Sequence, residues 1–278
     1  MVSQIKKQFI KNGIVKFEKI LTNQEINSIR RSIEKKFISD GKKYIQFDEL
    51  DDFPKLLDLI FKKEKFIKSI KKVYKNPIFY PDFIIQVENY STDLIPHQDL
   101  QSFHRFGDRA DLKKVQYSKI GLYLQNSSED NPTSIFAAEG SHNFMLTKIS
   151  QSIPFFGYKL LKLFKNFVFL KYKKLMQVNA GDMLFFDGQV LHSSVMSKNK
   201  INGKIKINIY FSCVNGNQSL FPLIKNEFLK YHTELIQKNQ IINKHFEHQR
   251  SYILSNPFKS LNFKKIKGLK KENFFIFN

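Results

Sequence analysis

His97 and Asp99 stand two residues apart in Ile95-Pro96-His97-Gln98-Asp99-Leu100. In extended chain an imidazole and a carboxylate at that spacing share one side, because side chains alternate with a period of two. A second imidazole from a later strand completes a face of three ligands, and His192, downstream of Gly181-Asp182-Met183-Leu184-Phe185-Phe186-Asp187, is placed to supply it. Two imidazoles and one carboxylate that leave coordination positions open suit non-haem Fe(II) used to activate O2. An H-x-D triplet also arises by chance, and a lone histidine near a strand end is more often structural, so the weight falls on its context.

Such a face needs strands to carry it. From Pro77 the apolar period becomes two: Phe79 to Tyr90 reads as a strand, as do Tyr117 to Gln125 and Ser134 to Ala138, with Asn126 to Pro132 and Glu139-Gly140-Ser141-His142 as turns. Leu175 to Val178, Met183 to Phe186 and Lys204 to Val214 continue the series. The last alternates Ile205, Ile207, Ile209 and Phe211 against Lys204, Lys206, Asn208 and Tyr210. If its apolar face packs outward under helices, the lysines point into a barrel, where a buried ammonium needs an anionic partner. Short strands and turns in this rhythm predict a sandwich or barrel.

Before the strands, Gln8 to Leu21 reads as extended chain around a turn at Asn12-Gly13. Thr22 or Asn23 then caps a helix with Glu25 in its first turn and Ile26, Ile29, Ile33 and Phe37 on one face. Asp48 to Asp58 is acidic and reads as a solvated loop and helix N-terminus, and Leu56 to Tyr74 returns to helical spacing. Gln151 to Lys174 interrupts the strands with a basic, Phe-rich insertion. It fits a helix supporting the barrel, and as less favoured readings a membrane surface contact or a cover over a greasy substrate. Beyond Asn217 the pattern is helical and the end basic. The organisation is one domain over 1–278, with a core at about 9–214 and a helical, basic extension at about 217–278.

The formal charge is +21, yet Arg30, Arg31, Arg105, Arg109 and Arg250 are the only arginines, and the excess is lysine in an Ile-, Asn- and Phe-rich chain. That composition disfavours nucleic acid as the partner and leaves steering of an anionic small substrate open. Twenty-nine Phe and no Trp will pack the core, and Cys213 alone excludes a disulfide framework or a zinc ribbon. No signal-peptide or transmembrane pattern is present, so a cytoplasmic location is expected.

The order of these features resembles the phytanoyl-CoA dioxygenase family: an N-terminal strand and capped helix (Phe9 to Arg31), His97-Gln98-Asp99, Glu139-Gly140-Ser141-His142, then Gly181-Asp182 through His192-Ser193-Ser194. The resemblance implies a mainly β fold, a double-stranded β-helix (jelly roll, cupin-like) with flanking α-helices. It also implies a 2-oxoglutarate-dependent non-haem iron dioxygenase with Fe(II), 2-oxoglutarate and O2 as cofactor and cosubstrates. His97, Asp99 and His192 would be the metal ligands, and His142 a turn residue. Succinate and CO2 would accompany hydroxylation of an unactivated C–H bond in a small-molecule, lipid-linked or sugar-linked substrate. Asp99 argues against the halogenase branch, where a small residue replaces the carboxylate.

At the cosubstrate anchor the chain departs from the family, whose arginine about a dozen residues after the distal histidine forks onto the 2-oxoglutarate carboxylate. Lys204 stands at that place, with Lys206 as alternate, and lysine offers a point charge without the planar fork. Ser194, Gln86 and Tyr123 align with cosubstrate-side positions, and each could equally be an ordinary barrel residue. The missing arginine keeps a second reading open, a non-catalytic jelly-roll protein that binds metal or ligand. A third is a module that binds nucleic acid or membrane through charge alone.

Overall fold

The computed structural model describes residues 3–40, 44–46, 53–88, 96–99, 116–143, 155–195, 206–216, 261 and 263–274. Two antiparallel sheets face each other as a double-stranded β-helix. The larger has the order β1-β7-β4-β9-β3-β2, from β1 (Ile14–Phe17), β2 (Tyr44–Gln46), β3 (Pro77–Glu88), β4 (Gln116–Tyr123), β7 (Met183–Asp187) and β9 (Lys206–Asn215). The smaller has the order β6-β5-β8, from β5 (Ile135–Ala138), β6 (Lys173–Leu175) and β8 (His192–Ser194).

The chain enters through a helix where extended structure was expected. α1 (Gln4–Asn12) is capped by Ser3, whose hydroxyl accepts the Lys6 N–H, and it ends at Gly13, whose N–H returns to the Phe9 carbonyl at φ +72°. Gly13 thus closes a helix and does not turn a hairpin. A Cβ there would also lie 2.5 Å from His142 Nδ1 and Val190 Cγ2. α2 (Asn23–Asp40) starts as expected: Thr22 and Glu25 exchange side chain and backbone N–H in a capping box. The helical stretch after Leu56 is two helices, α3 (Phe53–Phe61) and α4 (Glu64–Lys71), broken at Lys62-Lys63.

β9 realises the outward arrangement of its apolar face. Ile207, Ile209, Phe211 and Cys213 pack against α3, α4 and the chain end in one buried cluster, where the Phe61 ring meets Phe79 at 4.8 Å and Phe274 at 5.0 Å between centroids. Each such aromatic pair contributes about 0.5–1.5 kcal/mol beyond its buried area. The described C-terminal residues form short 3-10 turns, and Leu261, Ile266, Leu269 and Phe274 join this cluster.

Between the sheets lies a smaller cluster of Ile14, Tyr123, Ile135, Ala137, Val178, Leu184, Phe186 and Val190. The segment expected as a strand at Leu175 to Val178 is displaced: β6 ends at Leu175, and Val178 makes only an isolated bridge to Ser127. α5 (Phe155–Tyr172) lies on the small sheet, burying Lys165, Val168 and Phe169 beside Ala138 and Leu191. Among the described residues no helix is long and apolar enough to cross a membrane.

Candidate metal centre

The two histidines are brought together by backbone pairing. His97 donates its N–H to the His192 carbonyl at 2.9 Å and accepts the His192 N–H at 3.0 Å, an isolated antiparallel bridge at the rim of the small sheet. Residues directly opposed in an antiparallel pair project to the same face. The imidazoles accordingly sit with centroids 4.4 Å apart. Asp99 reaches the same point from a turn, where continued strand was expected. Its two oxygens lie 3.7 Å from His97 Nε2 and 3.6 Å from His192 Nε2. One donor atom from each of the three residues falls within 4.8 Å of the others, and among the described residues this is the grouping that could hold a metal ion.

Neighbours prepare the donors. His192 Nδ1–H donates to the Val190 carbonyl at 2.9 Å, which leaves Nε2 with its lone pair facing Asp99. Burial lowers the His192 pKa to about 4, so the ring is neutral at pH 7, as a ligand must be. Burial would raise the Asp99 carboxyl, but His192, Lys119 and His97 together hold it below its usual value. Phe186 packs edge-on to His192 at 4.9 Å. The Ser141 hydroxyl accepts the Leu191 N–H at 2.8 Å, so the Gly140-Ser141-His142 turn fixes the approach to His192. His142 itself donates Nε2–H to the Ile10 carbonyl and stays out of the centre, as expected. Gly181-Asp182 is likewise structural: the Asp182 oxygens accept the N–H groups of Lys19 and Asn179, each at 2.8 Å.

Gln98 faces away from the histidines, as its place between two ligands implies. Its amide donates to the Gln189 carbonyl and accepts from Lys165 Nζ at 2.8 Å, so a buried lysine of α5 clamps the loop that carries His97 and Asp99. Sequence reasoning missed Lys165, since no local pattern marks it. It missed Lys119 too, although Tyr117, Lys119, Gly121 and Tyr123 share one face of β4 by their period of two, with Lys119 in register with Phe186.

The expected cosubstrate residues are only partly gathered. Lys204 lies outside the described residues. Lys206 opens β9, is 1% exposed and shares a face with Asn208 and Tyr210. Gln86 sits on β3 in register with Asn208, and its side chain lies outside the described residues. Tyr123 is fully buried, in register with Asn208 and edge-on to Tyr210. Burial pushes its hydroxyl well above the usual range and the adjacent Tyr210 adds to this, without a well-formed hydrogen bond between them. Ser194 is half-buried, two residues beyond His192 on β8. Both sets fit the groups they would hold. The three convergent donors suit a divalent ion, and a buried hydroxyl lacking a partner, beside Asn208 and on the sheet that carries the Lys206 ammonium, suits a carboxylate.

No protein-family model matches the sequence, and no curated protein is similar to it. Solved structures are similar in fold. The non-haem α-ketoglutarate-dependent carbocyclase SnoK of nogalamycin biosynthesis superposes with a TM-score of 0.54 at 13% identity, over 78% of this chain and 85% of its own. HygX from Streptomyces hygroscopicus, solved with nickel and 2-oxoglutarate bound, gives 0.52 at 12% identity, over 76% and 87%. The epimerase SnoN, in complex with Fe3+, α-ketoglutarate and nogalamycin RO, gives 0.52 at 10%, over 77% and 83%. The double-stranded β-helix is common to all of them.

Proposed function

We propose that this chain is an Fe(II)- and 2-oxoglutarate-dependent oxygenase acting on a small molecule. The observation that carries the reading is the convergence of His97, Asp99 and His192 at the rim of a fold shared with enzymes of that chemistry. His97, Asp99 and His192 hold the metal, with His192 fixed as the Nδ1–H tautomer by Val190. Ser194, Tyr123 and Lys206, with Lys204 and Gln86 as further candidates, receive the 2-oxo acid from inside the barrel. Lys supplies charge there and the buried Tyr123 hydroxyl an O–H donor, in place of an arginine fork. Iron with 2-oxoglutarate and O2 supplies the oxidising power, giving succinate and CO2 as 2-oxoglutarate is consumed. Phe186 packs against the buried His192 ring, while the half-buried His97 leaves the metal side open to solvent and substrate.

Hydroxylation of an unactivated C–H bond is the default outcome, and the carbocyclase and epimerase among the similar structures make product analysis part of the test. The exact family remains a resemblance to phytanoyl-CoA dioxygenases. Protein loaded anaerobically with Fe(II) and then given O2 should form succinate from 2-oxoglutarate, and His97→Ala should abolish it. Lys204→Ala beside Lys206→Ala identifies the anchor, by whichever raises the KM for 2-oxoglutarate. Metal binding without any consumption of 2-oxo acid, with candidate substrates present, would favour the second reading, a ligand-binding jelly roll. That reading rests on the absence of arginine between Arg109 and Arg250.

A further inference from the structure

Gln125 stands just beyond β4, where the Leu124 N–H still donates to the Ile207 carbonyl at 3.3 Å. Its side chain ties α2 to β9. The amide oxygen accepts the Ile207 N–H at 2.8 Å and Arg30 Nη1 at 3.3 Å, and the amide nitrogen donates to Asn208 Oδ1 at 2.6 Å. A backbone N–H and a guanidinium can only donate, so they fix which end of this amide is the oxygen. Asn208, fully buried, is fixed in turn. Its oxygen accepts from Gln125, and its nitrogen donates to the Thr133 carbonyl at 3.1 Å and to the Tyr210 hydroxyl at 3.2 Å. The hydrogen bonds therefore run one way, from Arg30 through Gln125 and Asn208 to Tyr210. A hydroxyl that accepts from Asn208 turns its own hydrogen elsewhere. The Tyr210 ring and the buried Tyr123 hydroxyl, which has no well-formed hydrogen bond, meet over Gly121, where a Cβ would lie 3.0 Å from one and 3.1 Å from the other.

We infer that Gln125 is a positioning residue for the carboxylate of the 2-oxo acid. It touches no ligand itself. By holding Asn208 as the donor to Tyr210, it makes Tyr210 and Tyr123 present hydrogens, not lone pairs, on the side of the barrel that also carries the Lys206 ammonium. A surface of donors selects an anion. The inference rests on the oxygenase reading proposed above and adds Gln125 and Tyr210 to the residues that reading names. A carboxylate in place of the Gln125 amide would keep the bonds from Ile207 and Arg30 but would offer Asn208 no hydrogen. Asn208 would then turn its nitrogen toward that carboxylate, and Tyr210 would give its hydrogen to the Asn208 oxygen.

The test is anaerobic calorimetry of 2-oxoglutarate binding to the Fe(II)-loaded protein, with Fe(II) titrations and unfolding curves alongside. Gln125→Glu should bind 2-oxoglutarate about tenfold more weakly than the parent protein, while it stays folded and keeps its Fe(II) affinity. Tyr210→Phe should weaken binding by a similar factor. The double variant should bind no worse than either single one, because the same hydrogen is lost in both, whereas plain repulsion by the new carboxylate would add to the loss of the hydroxyl. Unaltered 2-oxoglutarate affinity in Gln125→Glu, additive losses in the double variant, or an equal fall in Fe(II) affinity overturns the role of Gln125 and leaves the oxygenase reading standing. If the Fe(II)-loaded parent protein binds no 2-oxoglutarate, that reading falls and the proposal with it.

Discussion

The two faces of β9 divide the molecule. Outward, Ile207, Ile209, Phe211 and Cys213 meet rings and aliphatic chains from α3, α4 and the C-terminal turns, a surface on which shape and area decide everything. Inward, Lys206, Asn208 and Tyr210 look across the barrel. There Asn208 accepts from Gln125 Nε2 at 2.6 Å and donates to the Thr133 carbonyl at 3.1 Å, and the apolar cluster is small. One face holds the fold, and the other presents the polar groups proposed above to receive the 2-oxo acid. The same alternation on β4 separates Ile120 and Leu122 from Lys119, Gly121 and Tyr123. Gly121 belongs to the inner set for want of room: a Cβ there would lie 3.0 Å from the Tyr210 ring and 3.1 Å from the Tyr123 hydroxyl.

If the faces are independent, the largest stability loss comes from the outer one. Phe211→Ala should cost about 3–5 kcal/mol in denaturant unfolding. Its metal titration should match the wild type, and a loss of metal affinity in that folded variant would break the division. Next comes acid. The native His192 titrates at about 4 and its unfolded counterpart near 6.5, so between those values the unfolded chain takes up the proton first. Metal-free protein should therefore be fully stabilised by this group above about pH 6.5 and lose on the order of 3 kcal/mol as pH falls to 4. His192→Asn should flatten that slope in unfolding curves taken across the interval.

Smaller effects sharpen the inner face. Lys206→Met should weaken 2-oxoglutarate binding by about tenfold to a hundredfold, as loss of a charged hydrogen bond does. Its stability should change little, because a buried ion replaced by an apolar chain of similar size is often neutral. Unaltered affinity by calorimetry, with the loss found in Lys204→Met, would move the anchor to Lys204. Smallest is Lys165→Met, which frees Gln98 and should lower metal affinity roughly tenfold by loosening the loop of His97 and Asp99. An equal drop in 2-oxoglutarate affinity at saturating metal would show a general structural role instead.

Much of this was legible in the chain. The period of two at Phe79 to Tyr90 and from Tyr117 onward was enough for the barrel, and the H-x-D triplet offered two of the donors, while the resemblance to a family supplied the third. In the sequence α1 reads, wrongly, as extended chain from Gln8, because Phe9 is its one buried residue and a single apolar anchor among lysines shows no helical period, although Ser3 and Gly13 cap its two ends. Lys165 could not be found: a lysine in a Phe-rich insertion looks like solvated charge until the helix turns it beneath the metal loop. The convergence of His97 and His192 rests on a backbone bridge spanning 95 residues, which no local pattern encodes.

The central claim is that three side chains make one metal site. It is tested most directly by anaerobic Fe(II) titration of wild-type and Asp99→Ala protein, with unfolding curves to confirm that both are folded. The wild type should show a single tight site and the variant should lose it, since Asp99 is the only anion among the three donors. Equal Fe(II) binding by both proteins would contradict it.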